Sequence, residues 1–331
     1  MGEKDLIALE QYDIAVLRSW KGREAMLCET NRGLMLLREY TGTEEKLEAE
    51  AWLLDRLLER KVKTDSYERN KDGKVVTTTA DNKSYYLKNW PEGQEIDIKS
   101  GAGSCLAVKS LAILHMNMNE IDVPQEIVFA KGRSFKEDMR RHNKELKHVR
   151  GFIRSKRSKS DFELKVLECF DLFYGQGEKT LEYMCSEKNL ISGDESTDNS
   201  YMKTLCHGNF NHHNILAGDR GVFVTNFDRV SYNNQITDLY LLLRKCMEKQ
   251  NWNAELGIHM LREYDKLKPI TAEEKRIIYI LFLYPEKFWK IVNHYYNGNK
   301  SWVSGKSIGK LQALVELETK RQIFLDELQR L

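Results

Sequence analysis

The stretch Leu205–Leu216, LCHGNFNHHNIL, holds the residues best suited to chemistry. His207, Asn209 and Asn214 have the spacing of a loop that transfers phosphoryl groups. In such a loop the residue two after the histidine takes or orients an acceptor's proton, and the later Asn helps to hold a divalent ion. Ala217–Gly221 reads as a hairpin turn and Val222–Val230 as the next strand, with Asn226 and Asp228 where a second metal-binding acid belongs. Asn209 and Asn226 are carboxamides at positions where the chemistry calls for carboxylates. A carboxamide cannot take up a proton near neutrality, and losing a general base costs about 10²–10⁴-fold in rate. Magnesium prefers carboxylate oxygens and takes one or two of them besides phosphate. The expected consequence is weak ATP and magnesium binding.

Each position also has a plainer reading. His207 can brace the loop backbone. Asn214 is either a metal ligand or the start cap of a helix over NILAG. Asp238, opening the helical run TDLYLLL, either braces the loop or caps its own helix. Asp228 shares a face with Asn226 if the segment stays extended, and can then supply the missing metal ligand. His212 and His213 are hydrogen-bonding loop residues, or neutral imidazoles able to bind a transition metal or act as a base. His115, on an apolar helix, reads as a core histidine.

These residues need a scaffold. Tyr12–Tyr40 reads as three strands with turns at Lys21-Gly22 and Asn31-Arg32-Gly33. Thr43 caps a helix through TEEKLEAEAWLLDRLLER, with Leu47, Trp52, Leu54, Leu57 and Leu58 on its apolar side. KVVTTTA and SYYLKNW add two strands, giving a five-stranded sheet with one inserted helix. Asn89–Ile98, NWPEGQEIDI, is the connector. Beyond it, CLAVKSLAILHMNM and two long amphipathic segments between Arg133 and Met184 read as helices, SEKNLISGDESTDNSYMK as a polar loop, and helices resume from about Thr237. The expected class is α+β and bilobed: residues 1–89 a small lobe, 90–98 a hinge, and 99–331 a helical lobe carrying the loop region 205–230.

The order of loop, hairpin, strand and Asp-led helix, together with NWPEGQEIDI, LAVKSLAILHMNM and the basic helix pair from Arg133, resembles the spore coat proteins of the CotS type. These belong to the aminoglycoside phosphotransferase and choline kinase-like group, which has the protein-kinase-like fold. The resemblance covers nearly the whole chain. It implies that Arg38, standing where the third strand often ends in Lys, holds phosphates and pairs with Glu48 or Glu50. It also implies that Trp90 and Gly93 belong to the nucleotide side of the hinge. The usual His-x-Asp and Asp-Phe-Asp motifs are here His-x-Asn and Asn-Phe-Asp. An Arg-for-Lys exchange is not conservative, because the guanidinium fork is larger and differently aimed. The resemblance further implies a spore former, a mother-cell origin, deposition in the coat, and other coat proteins as partners.

Bulk properties narrow the classes. With 331 residues, 31% charged, and a formal net charge of +2, the chain has the composition of a soluble domain. Its six cysteines form no CxxC pair or zinc-finger spacing. The opening MGEKDL lacks both a signal-peptide core and the Ser or Thr that favours myristoylation. No apolar run approaches the roughly 20 residues of a membrane span. Lys131–Lys165 is basic by more than two to one, yet no nucleic-acid motif accompanies it, so a solvated helix face is expected. The expected function is a degenerate kinase-like coat protein with poor or absent phosphotransfer. The alternatives are an active phosphotransferase acting on a small hydroxyl or amine compound or a coat protein, and a nucleotide-sensing switch without turnover.

Overall fold

The computed structural model describes residues 3–186, 204–297 and 304–331. The polar loop expected over residues 186–203 lies, but for Ser186, outside the described residues. An N-terminal antiparallel sheet contains β1 (Val16–Lys21), β2 (Met26–Thr30), β3 (Gly33–Tyr40), β4 (Ser66–Glu68), β5 (Val76–Thr78) and β6 (Ser84–Asn89). Its order is β1-β2-β3-β6-β4, with β5 also on β6. The sheet thus has six strands where the sequence pattern implied five. The unforeseen strand, β4, is three polar, half-buried residues with no apolar alternation to mark it.

Alternation on β3 decides what faces where. Met35 and Leu37 join Cys28, Tyr85 and Leu87 on the outer face, covered by Ala8 and Leu9 of an N-terminal 3-10 segment (Glu3–Gln11) and by Tyr12 just after it. Leu36 and Arg38 take the opposite face. There Leu36 pairs in register with Lys88, and Arg38 with Tyr86. Helix α1 (Glu44–Glu59) packs beside this inner face, and its N-cap Thr43 accepts the Lys46 N–H. Leu47, Leu53, Leu54 and Leu57 of α1 are buried, whereas Leu58, expected inside, is exposed.

The connector is not merely a turn. Gln94–Glu95 form β7, which pairs with β9 (Ile215–Gly218), and β9 pairs with β10 (Gly221–Val224). The hinge is therefore stitched to the strand that follows the candidate loop. Strand β8 (Leu205–Cys206) pairs with β11 (Ser231–Tyr232), closing the base of that loop.

The helices are α2 (Gly101–Asn119), α3 (Phe135–Ser155), α4 (Asp161–Ser186), α5 (Ile236–Lys249), α6 (Ala254–Leu267), α7 (Ala272–Leu283), α8 (Glu286–Asn297), α9 (Ser304–Glu316) and α10 (Glu318–Gln329). Ser100, Ser134, Asn253 and Thr271 cap α2, α3, α6 and α7 through their side chains, satisfying otherwise orphaned N–H groups. One core joins α1 to α2, α5, α6, α7 and α10. A second is built from α3, α4, α8 and α9 around Phe162, Phe170, Phe173 and Phe288. In the basic segment, several cations are spent locally: Arg141 on Asp138, Arg150 on Asp171, and Lys156 on Glu163.

Candidate nucleotide cleft

The loop is held from below by Asp238 in the first turn of α5. Its carboxylate accepts the backbone N–H groups of His207 (2.7 Å) and Gly208 (3.0 Å). His115 on α2 stands 3.3 Å from the same carboxylate and 2.7 Å from the Tyr264 hydroxyl. Burial pulls the His115 pKa down, against the pull of Asp238. Asp238 does not cap its helix; the capping position is Gln235, which makes no side-chain cap bond. Gly208 has φ +73, and a Cβ there would run into the Arg229 carbonyl. His207 is buried between Phe210 and Phe227. Its Nδ1 accepts the Asn209 N–H at 3.2 Å, so its Nε2 carries the proton toward the Thr225 carbonyl at 3.0 Å. Both nitrogens are thus occupied by backbone.

Two backbone anchors orient a chain of carboxamides. The Asn211 oxygen accepts the His213 N–H at 3.0 Å, so its amide nitrogen must donate, and it reaches the Asn209 side-chain oxygen at 3.2 Å. The remaining side-chain group of Asn209 is then an NH₂, a donor where a general base would need an acceptor. Asn214 donates to the Asn209 carbonyl at 2.9 Å, which turns its oxygen toward Asn226, whose amide donates to it at 2.8 Å. The two amides that would share a metal are bonded to each other.

Asn214 ends a short 3-10 turn, His212–Asn214, and is followed by strand β9. It caps no helix, because none forms over NILAG. Strand β10 ends at Val224, and Asn226 sits at φ +62, so the segment from Asn226 to Asp228 is not extended. The two still line one cleft, but not by sharing a strand face. One Asp228 oxygen is buried without a hydrogen-bond partner.

That cleft, of about 530 Å³, is lined by Arg38, Trp90, Gly93, Glu95, Asn209, Asn214, Asn226 and Asp228 among others. Arg38 pairs with Glu24 at 2.9 Å, not with Glu48 or Glu50. Burial works against its charge, but Tyr86, Asp228 and Glu24 hold its pKa above the ordinary value. Glu48 bonds Arg69 instead, at 2.8 and 2.9 Å. Glu50 is buried against Lys88 at 2.8 Å, and Asp65 meets the same ammonium at 2.9 Å. Burial alone would pull Lys88 down, yet Asp65 and Glu50 more than offset it and hold it well above free lysine. Asp65 also lies 3.4 Å from the Asn226 N–H. Lys88 and Asp65 were not singled out from the sequence. The available signal was a lone lysine inside the apolar run YYLKNW.

The cleft's carboxylates, among the described residues lining it, are Glu24, Glu95 and Asp228. The first two are engaged by Arg38 and His213. Asp228 keeps an unpartnered oxygen, and the bonded amides of Asn214 and Asn226 line the cleft with it.

A family model described as "Spore coat putative kinase YutH" matches residues 5–328. The chain belongs to this family. It has relatives in Bacillus subtilis (strain 168). It is 29% identical to spore coat protein S over 33% of this chain and 32% of that protein. It is 25% identical to the endospore coat-associated protein YutH over 42% of this chain and 40% of that protein. The chain thus aligns with less than half the length of either relative. Among solved structures, an aminoglycoside phosphotransferase from Alicyclobacillus acidocaldarius superposes with a TM-score of 0.81 at 18% identity, covering 97% of this chain and 94% of that one. That likeness fixes the YutH-family fold as aminoglycoside phosphotransferase-like, as the loop and hinge motifs implied. Among the described residues, no helix is long and apolar enough to cross a membrane.

Proposed function

We propose that this YutH-family chain is a kinase-like spore coat protein whose cleft has lost efficient phosphotransfer and whose role is structural, in coat assembly. The observation that carries this reading is the Asn214–Asn226 hydrogen bond, in which the Asn214 side-chain oxygen that a nucleotide-bound magnesium would use accepts from an amide instead. Asn209 adds a donor where the acceptor's proton must go. The names of the relatives support a coat location, and the reading adds other coat proteins as partners and synthesis in the mother cell. Nucleotide binding, where it occurs, rests on Arg38 and the hinge side near Trp90 and Gly93, and gains little from magnesium.

The test is a thermal-shift titration with ATP, with and without magnesium, alongside ATP turnover, on the native chain and on the double variant N209D/N226D. The expected result is little magnesium-dependent stabilisation and no turnover in the native chain, with metal-dependent nucleotide binding gained by the double variant. Strong magnesium-dependent stabilisation and turnover by the native chain would overturn it. A second reading has one observation in its favour. The partnerless oxygen of Asp228 leaves a carboxylate free for a metal, as an active phosphotransferase would require. Under that reading D228N abolishes turnover, and the double reversion leaves activity unchanged or damages it.

A further inference from the structure

The cleft mouth carries a second set of ligand atoms, chemically unlike the amides beside Asp228. Glu95 lies on β7, paired in register with Leu216 of β9. That pairing brings its carboxylate to the turn just before β9. There His213 Nδ1 meets it at 2.6 Å. The His212 ring lies alongside, with centroids 3.8 Å apart and planes tilted by 36°. One ligand atom from each of the three residues lies within 4.8 Å of the other two. His212 Nδ1 is buried and has no hydrogen-bond partner. An imidazole nitrogen withdrawn from water and left unpaired is a cost that a bound group would remove.

We propose that Glu95, His212 and His213 form a transition-metal site, with zinc the best fit, which fastens the hinge strand to the catalytic-type loop. Two imidazoles and one carboxylate are the three-ligand set of an open zinc site, and the fourth position is left to water from the cleft. Bonds of about 2.0–2.1 Å in tetrahedral geometry place ligand atoms roughly 3.3 Å apart. Half-exposed Glu95 and His213 side chains reach that spacing by small torsional shifts. Magnesium, which prefers oxygen ligands and octahedral geometry, is excluded by the same set. The charges facing the cluster are Arg23, 3.7 Å from Glu95, and Lys245 and Lys249 of α5. The site uses neither Asn214 nor Asn226, so it is independent of whether phosphotransfer survives.

The experiment is a zinc titration of the tag-free full chain against a chromophoric chelator, after EDTA treatment and dialysis. The expected result is one equivalent bound, with affinity reduced roughly tenfold or more by each of E95Q, H212N and H213N. Melting in EDTA, unchanged in these variants, separates loss of ligand from loss of fold. Cysteine is the competing ligand, so C105S/C185S is measured in parallel and is expected to bind as the native chain does. Cobalt substitution should give a spectrum of nitrogen and oxygen ligation without thiolate bands. Binding that survives all three ligand variants, or that disappears with the cysteines, would overturn the proposal.

Discussion

At the residue scale the cleft is decided by the direction of amides. Asn214 is fixed by its bond to the Asn209 carbonyl, so its oxygen faces Asn226 whatever the bulk conditions. Restoring an acid at that point would set two acceptors against each other. N226D alone is therefore expected to lose about 1–3 kcal/mol of stability in EDTA. Added magnesium should recover it, because the ion would then sit between the two oxygens. Thermal melts with and without the metal check this; an N226D chain as stable as the native one in EDTA would mean that the amide pair carries no weight. The letters of this loop were legible in the sequence, since spacing alone placed His207, Asn209 and Asn214 together. What the letters could not give was the hydrogen-bond order among four neutral side chains, which depends on two backbone anchors formed only in the folded turn.

At the scale of elements, α1 and β6 share a buried ion cluster that the sequence reading assigned to the wrong cation. Arg38 and Lys88 both stand on the inner face of the sheet, one strand apart. Lys88 is the one buried beneath α1, between Glu50 and Asp65 and over the Tyr67 ring at 4.3 Å. Arg38 is left at the rim with Glu24. No local pattern distinguishes the two, because the choice depends on where α1 lies across the sheet. Asp65 was invisible for a related reason: it follows α1 in a polar stretch that also hides β4. Removing Lys88 leaves two carboxylates buried without a counter-charge. K88M is expected to cost about 3–5 kcal/mol in urea unfolding, and E50L/D65N in the same chain should return most of it. If K88M is as stable as the native chain, the cluster is solvated and the account of it is wrong.

At the scale of the whole molecule, acid should weaken the fold before the carboxylates titrate. His142 on α3 is buried and stacked on Trp289, with centroids 3.4 Å apart and planes 15° apart. Burial, opposed by Asp138 and Glu286, lowers its pKa to about 4. The unfolded chain takes up this proton near pH 6.5 and the folded chain only near 4. Its contribution is thus complete above about pH 6.5 and is lost as the pH falls through 4, with about 3 kcal/mol at stake. His115, also lowered, acts in the same direction. Glu286, pushed down to about 2, loses its share later, between about 4.5 and 2. Urea midpoints measured from pH 8 to 4.5 should fall, and H142Q should flatten that fall; an equal slope in both would rule His142 out. The bilobed class was legible because strand-rich and helix-rich stretches are separated along the chain. The way the halves are joined was not. Ala49, Leu53, Leu54 and Leu57 of α1 are packed in one apolar body with Ile96, Ile98 and α2. Swinging the sheet away would expose the three leucines at about 1.5–3 kcal/mol apiece. Any swing of the sheet must therefore lift those leucines out of the shared core, a toll that sets the two halves moving as one.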